Sequence, residues 1–314
     1  TVDRAFFSQR VHQAARLRNS VIPADTTCYR LVHGEGDGIP GLVVDFYEKA
    51  LVLQSLITGI EEIKSDIVSI LEGLFPDFPI HERSDVKARS GEGLRPLSGP
   101  LKGSLAEGAI IVHEMGIPFY VDVLTGERTG FYLDHRRNRA RLQSMASGKD
   151  VLDLFSYTGA YAVHALKGGA KSAVSVDSSS PALALAKRNM EINKITPFVW
   201  KIVRDDVLRF LQDDRSRYDI IVCDPPPFVK DIEDFEKILA LVFEKLNPSG
   251  LIFATTYLGT QYTPLDFYRA VQVSSERASR NVKLIEPLYE GPDFPVLPTH
   301  PQGIHLFGHI LYAD

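Results

Sequence analysis

The chain has few cysteines and no long apolar stretch, and both absences exclude classes of protein. Cys28 and Cys223 are its only cysteines and form no CxxC pair, which argues against a disulfide framework and against a zinc site. No run approaches the roughly 20 apolar residues that a membrane-spanning helix needs. No charged leader with an apolar core opens the sequence. We therefore expect a folded protein of a reducing compartment, the cytoplasm.

The chain also lacks an excess of positive charge. Its formal net charge is −5, whereas proteins that bind nucleic acids usually gain affinity by neutralising phosphates. Binding to RNA would therefore depend on local basic patches, and one follows the segment TGERTGFYLDH. There Arg136 could form a bidentate pair with a ligand carboxylate, while Arg137, Arg139 and Arg141 could contact phosphates. A solvated helix with scattered arginines is the alternative.

A third absence is the glycine-rich loop of dinucleotide-binding folds. Such a loop needs GxGxxG to bring backbone amides against a pyrophosphate, but the loop after the apolar run VLDLF reads DLFSYTGAY and keeps only Gly159. A phosphate would meet Asp153 there with no compensating Lys or Arg. A cationic ligand without phosphates suits this loop better, and S-adenosylmethionine is such a ligand.

Residues 150–177 follow the order strand, turn, helix, strand. The first apolar run is VLDLF and the second, AVSVD, ends at Asp177. In an open parallel sheet, ligands bind outside the carboxyl ends of the strands. Asp177 is therefore in a position to accept hydrogen bonds from ribose hydroxyls. The alternative is an ordinary doubly wound sheet with acidic strand ends.

A second acidic strand end lies in the segment YDIIVCDPPPF. Asp224 ends the apolar run, and the rigid turn Pro225, Pro226 and Pro227 then presents Phe228. The carbonyls of the turn could accept hydrogen bonds from a substrate base or from a cofactor ammonium, and the aromatic ring could stack on a flipped base. We expect Asp224 and Phe228 to be catalytic. A strand that ends in a stiff loop is the alternative.

Asp205 and Asp206 end the strand predicted at PFVWKIV, where the adenine of the ligand should lie. A carboxylate there could accept a hydrogen bond from the exocyclic amine of adenine. Asp206 is the better candidate because it precedes an apolar residue. A helix cap is the alternative for the same residue.

The order of predicted elements indicates an α/β fold with two domains. Residues 1–123 read as a small α+β domain with a hairpin about Met115 and Gly116. Residues 124–314 read as a Rossmann-like, mostly parallel sheet, with strands at VLDLF, AVSVD, PFVWKIV, YDIIVCD and GLIFATT. The last two apolar runs, NVKLIEPLY and GIHLFGHILY, have no helix between them, so we expect an antiparallel last strand.

With GFYLDHRRNR, DLFSYTGAYAVHALKGGAKSAVSVD, RDDVLRFL and DPPPF in this order, the chain resembles the bacterial large-subunit ribosomal RNA cytosine-5 methyltransferase I family. The likeness extends to RLVHGEGDGIPGLVVDFY, HERSDVKAR and FPVLPTHPQGIHLFGH. It implies a class I S-adenosylmethionine-dependent methyltransferase domain behind a central, substrate-recognition domain. It also implies ribosomal RNA as partner, and it leaves monomer and homodimer open.

The resemblance and the loops above together give a set of candidate cofactor-binding residues. They come from the FYLDHR segment, the loop after the first strand, and the ends of the next three strands. The set is Phe131, Asp134, Arg136, Asp153, Phe155, Ser156, Tyr157, Thr158, Gly159, Asp177, Ser178, Asp205, Asp206, Asp224 and Pro225.

Two departures from the family pattern bear on the reaction. Family members usually begin with an RNA-binding PUA domain, which we expect to be absent because the first residues resemble the helix that follows it. The family also carries a cysteine in a Ser-Cys-Ser segment at the end of the fifth strand, where this chain reads LIFATTYLGT. Cytosine-5 methylation needs a thiolate to add to carbon 6, so the missing cysteine argues against it. Strand alternation predicts that Cys223 faces the packed helices, opposite to Asp224.

Three functions follow from these observations. The motifs favour a methyltransferase that acts on a base of ribosomal RNA, at carbon 5 or at a nitrogen. The missing cysteine also permits an RNA-associated factor that binds the cofactor without catalysis. The acidic net charge permits methylation of a protein or a small molecule.

Overall fold

The computed structural model describes residues 2–105, 108–226, 232–258 and 263–314. Contacts divide the chain into two compact units, Thr1–Asp134 with Gly291–Gly303, and His135–Glu290 with Ile304–Asp314. Among the described residues, no helix is long and apolar enough to cross a membrane. The catalytic role predicted for Phe228 falls outside the described residues.

The first unit combines two helices with a five-stranded sheet and a separate hairpin. The sheet has the order β1-β2-β3-β4-β5, in which only β3 and β4 run parallel. The hairpin β6–β7 turns at Met115 and Gly116, as the sequence predicts. The elements are α1 (Arg4–Val21), β1 (Cys28–His33), β2 (Leu42–Tyr47), β3 (Ala50–Ser55), α2 (Thr58–Leu74), β4 (Ile80–Ser84), β5 (Leu97–Lys102), β6 (Ala109–Glu114) and β7 (Ile117–Asp122).

The helices of this unit bury one apolar stripe each. In α2, Ile60, Ile67 and Leu71 recur at helical spacing and pack in one cluster with Leu51 and Leu53 of β3. Burial of each such side chain stabilises the fold by roughly 1.5–3 kcal/mol. This core explains why the predicted amphipathic segments are helical.

Ion pairs and hydrogen bonds connect segments of the first unit that are distant in sequence. Arg18 is fully buried, pairs with Asp37 at 2.5 Å and donates a hydrogen bond to the carbonyl of Asp293. The hydroxyl of Thr129 donates to Asp45, which also pairs with Arg30. Residues 124–134 and 291–303 therefore belong to this compact unit, whereas the sequence predicts a domain boundary after residue 123.

The second unit contains a seven-stranded sheet with helices in its connections. Alternating strands and helices produce parallel pairing across β10-β9-β8-β11-β12. The elements are α3 (Arg136–Met145), β8 (Asp150–Leu154), α4 (Ala160–Lys167), β9 (Ser172–Asp177), α5 (Ser180–Ile192), β10 (Trp200–Arg204), α6 (Val207–Asp213), β11 (Tyr218–Cys223), α7 (Ile232–Lys245), β12 (Leu246–Tyr257), α8 (Pro264–Arg277), β13 (Val282–Leu288) and β14 (Leu306–Ala313).

The last strand confirms the predicted antiparallel closure of the sheet. β14 lies between β12 and β13 and is antiparallel to both. Gly308 permits this close approach, because a Cβ at that position would lie 2.1 Å from the carbonyl oxygen of Ala254. The α/β, Rossmann-like fold expected from the sequence is therefore confirmed.

The strand order identifies where a ligand should bind in the second unit. The connections change direction between β8 and β11, and such a switch point forms a crevice at the carboxyl ends of the strands. Cys223 packs in the core with Phe235 and Leu239 of α7, as alternation predicts. The residue after it, Asp224, then follows β11 at the crevice.

Candidate active site

The loop between β8 and α4 has an unusual backbone. Phe155, Tyr157 and Gly159 have φ values of 56°, 46° and 73°, in the left-handed region. A non-glycine residue there costs of order 1–2 kcal/mol, so the surrounding structure must stabilise this loop. At Gly159 a Cβ would also lie 3.2 Å from the Cβ of Ala186, which explains the single glycine that the loop keeps.

Asp177, at the end of β9, is one of the groups that hold this loop. The amide of Tyr157 donates to its Oδ2 at 2.8 Å, and the amide of Ser179 donates to its Oδ1 at 2.8 Å. Each carboxylate oxygen can accept a second hydrogen bond. Asp177 is thus fixed in orientation while it keeps acceptor capacity for a ligand. Ser178, the next residue, is exposed.

Asp153 is a buried carboxyl at the carboxyl end of β8. Its side chain is 1% exposed, and the amide of Ala162 donates to Oδ2 at 3.2 Å. Burial raises the pKa of Asp153 to about 8, and the charges of Asp224 and Asp177 add to the rise. The Ala162 hydrogen bond and the charge of Arg139 oppose the rise. A cation bound here would be stabilised by the ionised form of this carboxyl.

Two hydroxyls of the same loop are buried. Ser156 Oγ and Thr158 Oγ1 have no hydrogen-bond partner within the part of the chain that the structure describes. Leaving a buried polar atom unsatisfied costs about 1–3 kcal/mol. A polar ligand that supplies the partners would recover this energy. The segment 153–159 also contains no Lys or Arg, so it fits a cationic ligand such as S-adenosylmethionine better than a phosphate.

Asp224 is held by two neighbours within the second unit. The hydroxyl of Thr255, on the adjacent strand β12, donates to Oδ1 at 2.5 Å. Nε2 of His135 lies 3.2 Å from Oδ2. The side chain of Asp224 is 14% exposed, so part of it faces outward. Pro225, which follows, is buried.

His135 connects Asp224 to two tyrosines. Its Nδ1 lies 2.7 Å from the hydroxyl of Tyr161, and its Nε2 lies 3.0 Å from the hydroxyl of Tyr257. The imidazole is fully buried. The candidates predicted from the sequence did not include His135, although it lies inside the FYLDHR segment. Its position between two predicted site residues was the available signal.

Asp205 and Asp206 serve as local caps in this structure. Asp206 is the N-cap of α6 and accepts from the amide of Arg209 at 3.1 Å. Asp205 accepts from the amide of Asp206 and pairs with the Arg209 side chain. Asp206 is exposed, so its carboxylate can still contact a ligand.

The remaining candidates divide between the two units. Phe131 packs against Phe119 at 5.4 Å between ring centroids, and the carbonyl of Asp134 accepts from the amide of Gly291, all in the first unit. Arg136 begins α3 in the second unit and is buried.

The prediction that Arg139 contacts phosphates is wrong. Its side chain is 2% exposed, and its guanidinium lies over the ring of Tyr161, 5.9 Å from the centroid. Arg141 forms an ion pair with Glu286 at 2.8 Å. Arg136 and Arg139 are therefore part of the interior of the second unit, whereas Arg137 is exposed.

Comparison with known proteins identifies the family of this chain. A family profile described as S-adenosylmethionine-dependent methyltransferase matches residues 96–306. A protein of Citrobacter koseri named ribosomal RNA large subunit methyltransferase I is 37% identical over 98% of this chain and 80% of its own length. A solved methyltransferase structure from Streptococcus mutans has a TM-score of 0.90 at 27% identity and covers 99% of this chain and 82% of that one.

A second solved structure bears on the ligand. It is a methyltransferase crystallised with SAH, with a TM-score of 0.89 and 26% identity, over 99% of this chain and 82% of that one. SAH is the product that S-adenosylmethionine leaves after methyl transfer. The protein is thus an S-adenosylmethionine-dependent methyltransferase, and it belongs to the ribosomal RNA large subunit methyltransferase I family.

Proposed function

We propose that the protein methylates a base of large-subunit ribosomal RNA. The observation that carries this proposal is the 37% identity, over 98% of the chain, to an enzyme named for that substrate. The site geometry supports it, because Asp224 at the end of β11 is a partly exposed acceptor that can orient a base. When bound, S-adenosylmethionine supplies a methyl group on a positively charged sulfur.

Four groups of the chain have separate roles in binding S-adenosylmethionine at the proposed site. Asp177, fixed by two backbone amides, accepts from the ribose hydroxyls of the donor. Ser156 and Thr158 supply buried hydroxyls to its polar groups. Asp153 balances its positive charge. Asp206 accepts from its adenine amine.

Further candidates complete the proposed donor site. Their roles come from their positions in the segments that the family resemblance covers. They are Arg136, Phe155, Tyr157, Gly159, Ser178, Asp205, Asp224 and Pro225.

We further propose that residues 1–123 recognise the RNA. The loop after β4 is rich in glycine, serine and basic residues, and Lys87 and Arg95 are exposed in it. Exposed basic side chains bind RNA through phosphates, which makes affinity fall with salt. Replacing both with Gln should weaken RNA binding and reduce the slope of log affinity against log salt, with donor affinity unchanged. An unaltered slope would count against this assignment.

The central test is methyl transfer from labelled S-adenosylmethionine. Ribosomal RNA and large ribosomal particles from a strain that lacks the gene should accept label, whereas the same material from the parent strain should accept little, because its site is already modified. Asp177→Asn, which weakens donor binding, is the matched control. Donor binding with no transfer to any RNA fraction would overturn the proposal.

A further inference from the structure

The two thiols of the chain are unsuited to nucleophilic attack. Cys223 is fully buried among apolar side chains, and burial raises the pKa of its thiol well above the ordinary value. Cys28 is also fully buried, with its thiol directed at the carbonyl of His113 at 3.6 Å. Methylation at cytosine carbon 5 needs a thiolate that first adds to carbon 6. The sequence offers no such thiolate.

Asp224 instead offers a hydrogen-bond acceptor with a fixed direction. Thr255 holds Oδ1 and His135 holds Oδ2, both from the protein side. An ionised carboxylate can only accept hydrogen bonds. A substrate group that meets its exposed edge must therefore bring a hydrogen on nitrogen or oxygen.

His135 lies against Asp224 and two tyrosine hydroxyls. Its Nε2 is 3.2 Å from Oδ2 of Asp224 and 3.0 Å from the hydroxyl of Tyr257, and its Nδ1 is 2.7 Å from the hydroxyl of Tyr161. With a proton on Nε2, the imidazole can donate to the carboxylate of Asp224. The hydroxyls, the imidazole and the carboxylate thus form one connected hydrogen-bond chain at the crevice.

We propose that the methyl acceptor is a base nitrogen that carries hydrogen, either an exocyclic amine or a ring N–H, and that its hydrogen is bound by Asp224. This inference rests on the proposed function and names the atom that is methylated. Transfer forms a bond from the nitrogen lone pair to the methyl carbon and breaks the methyl–sulfur bond, whose electron pair stays on sulfur. The N–H proton passes to the Asp224 carboxylate and then to solvent. His135 is a positioning residue that acts through Asp224.

Product identity tests the acceptor atom. RNA methylated by the purified protein is digested to nucleosides and analysed by mass spectrometry against standards. A base methylated at an amine or at a ring nitrogen that carried hydrogen is the expected result. 5-Methylcytidine, 7-methylguanosine or a 2′-O-methyl nucleoside would overturn the inference and leave the proposed function intact. No methylated RNA at all would overturn both.

A covalent trap gives a readout that is independent of turnover. Enzymes that add a thiolate to carbon 6 stay bound to RNA containing 5-fluorocytidine, because the fluorine cannot leave as a proton does. We expect no covalent complex with such RNA, and we expect Cys223→Ala to keep activity. A complex that survives denaturation, or loss of activity in Cys223→Ala with its fold intact, would contradict the inference.

Variants at Asp224 and His135 test the hydrogen-bond chain. Asp224→Asn should lower kcat, measured at saturating S-adenosylmethionine, by about 10²–10⁴-fold. His135→Ala should lower kcat by about tenfold or more, and His135→Gln should recover part of the loss because its amide can donate to Oδ2. Melting temperatures of all three variants exclude misfolding. Equal losses in His135→Ala and His135→Gln, or losses confined to KM, would overturn the positioning role.

Discussion

Two buried ion pairs of the first unit and three carboxyls at the crevice of the second unit are held in different ways. In the first unit, Asp37 and Asp45 pair with Arg18 and Arg30, so each negative charge is compensated inside the chain. At the crevice of the second unit, Asp177 accepts from backbone amides, as Asp153 does, and Asp224 lies against the hydroxyl of Thr255 and the imidazole of His135. The first arrangement stabilises the fold, whereas the second leaves negative charge available to a cationic ligand. The partner of a carboxylate therefore indicates its role better than its burial does.

The largest expected effect comes from breaking a pair in the first unit. Arg18→Met leaves Asp37 buried without its partner, and such losses typically cost about 3–5 kcal/mol. Chemical denaturation should report this decrease, whereas the control Lys187→Ala, at an exposed pair, should change the free energy of unfolding by less than about 1 kcal/mol. The donor dissociation constant of the folded variant should not change. A folded Arg18→Met protein that no longer binds the donor would contradict the purely structural role of this ion pair.

The next effect concerns the second unit. Asp177→Asn removes a charged acceptor, and hydrogen bonds to charged groups contribute about 1.5–3 kcal/mol, or roughly 10–150-fold in affinity. Isothermal titration calorimetry with S-adenosylmethionine measures the loss. Asp150→Asn is the matched control, because Asp150 lies at the opposite end of β8 and bonds Ser172. Equal affinity in the wild type and Asp177→Asn would remove Asp177 from the donor site.

A smaller effect follows from the raised pKa of Asp153. In the free protein its pKa is about 8, so it is protonated at pH 7 and must ionise to balance a bound cation. Donor affinity should therefore rise by up to about tenfold per pH unit and level off above about pH 8. Calorimetry at pH 7 in buffers of different ionisation enthalpy should detect release of about one proton. Asp153→Asn should abolish the release, and a flat pH profile in the wild type would contradict this role.

A last pair of variants separates the two units by the sign of the pH dependence of their stability. Burial alone would raise the pKa of Glu61, but hydrogen bonds from Lys64, Ser55 and Arg89 lower it to about 2. The contribution of Glu61 to the free energy of unfolding is present above pH 4.5 and is lost as pH falls towards 2. Glu61→Gln should therefore cost about 1 kcal/mol at pH 7, allowing for solvent screening, and little near pH 2.

Asp153 should make stability depend on pH with the opposite sign. Its folded pKa lies above the unfolded value of 3.8, so the donor-free protein loses stability as pH rises from about 4 to 8. Asp153→Asn should flatten this slope. Denaturation of both variants across pH measures the two signs, and slopes of the same sign would contradict the contrast between the units.

Much of the fold could be predicted because its signals are local. Apolar runs such as AVSVD and YDIIVCD are parallel strands, and each ends in a carboxylate that a sheet brings to one edge. The extent of the first unit could not be predicted from the sequence. It depends on Asp293, whose carbonyl and carboxylate bond Arg18 and Arg30 across more than 260 residues.

The site was predicted where a residue follows a strand and was missed where it depends on packing. Asp224 follows the apolar run of β11, but its partners His135 and Thr255 come from other elements. Arg139 resembles a phosphate ligand in sequence, yet the turn of α3 directs it into the interior. Sequence spacing does not show which face of a short polar helix is buried.

The position of β14 in the sheet has a consequence for biosynthesis. β14 fills the space between β12 and β13, and Asp293 completes the first unit. During translation, a nascent chain therefore cannot complete either unit until residues 291–313 have left the ribosome. Until then β12 has an unpaired edge, a feature that promotes aggregation, so chaperones should engage this protein late in its synthesis.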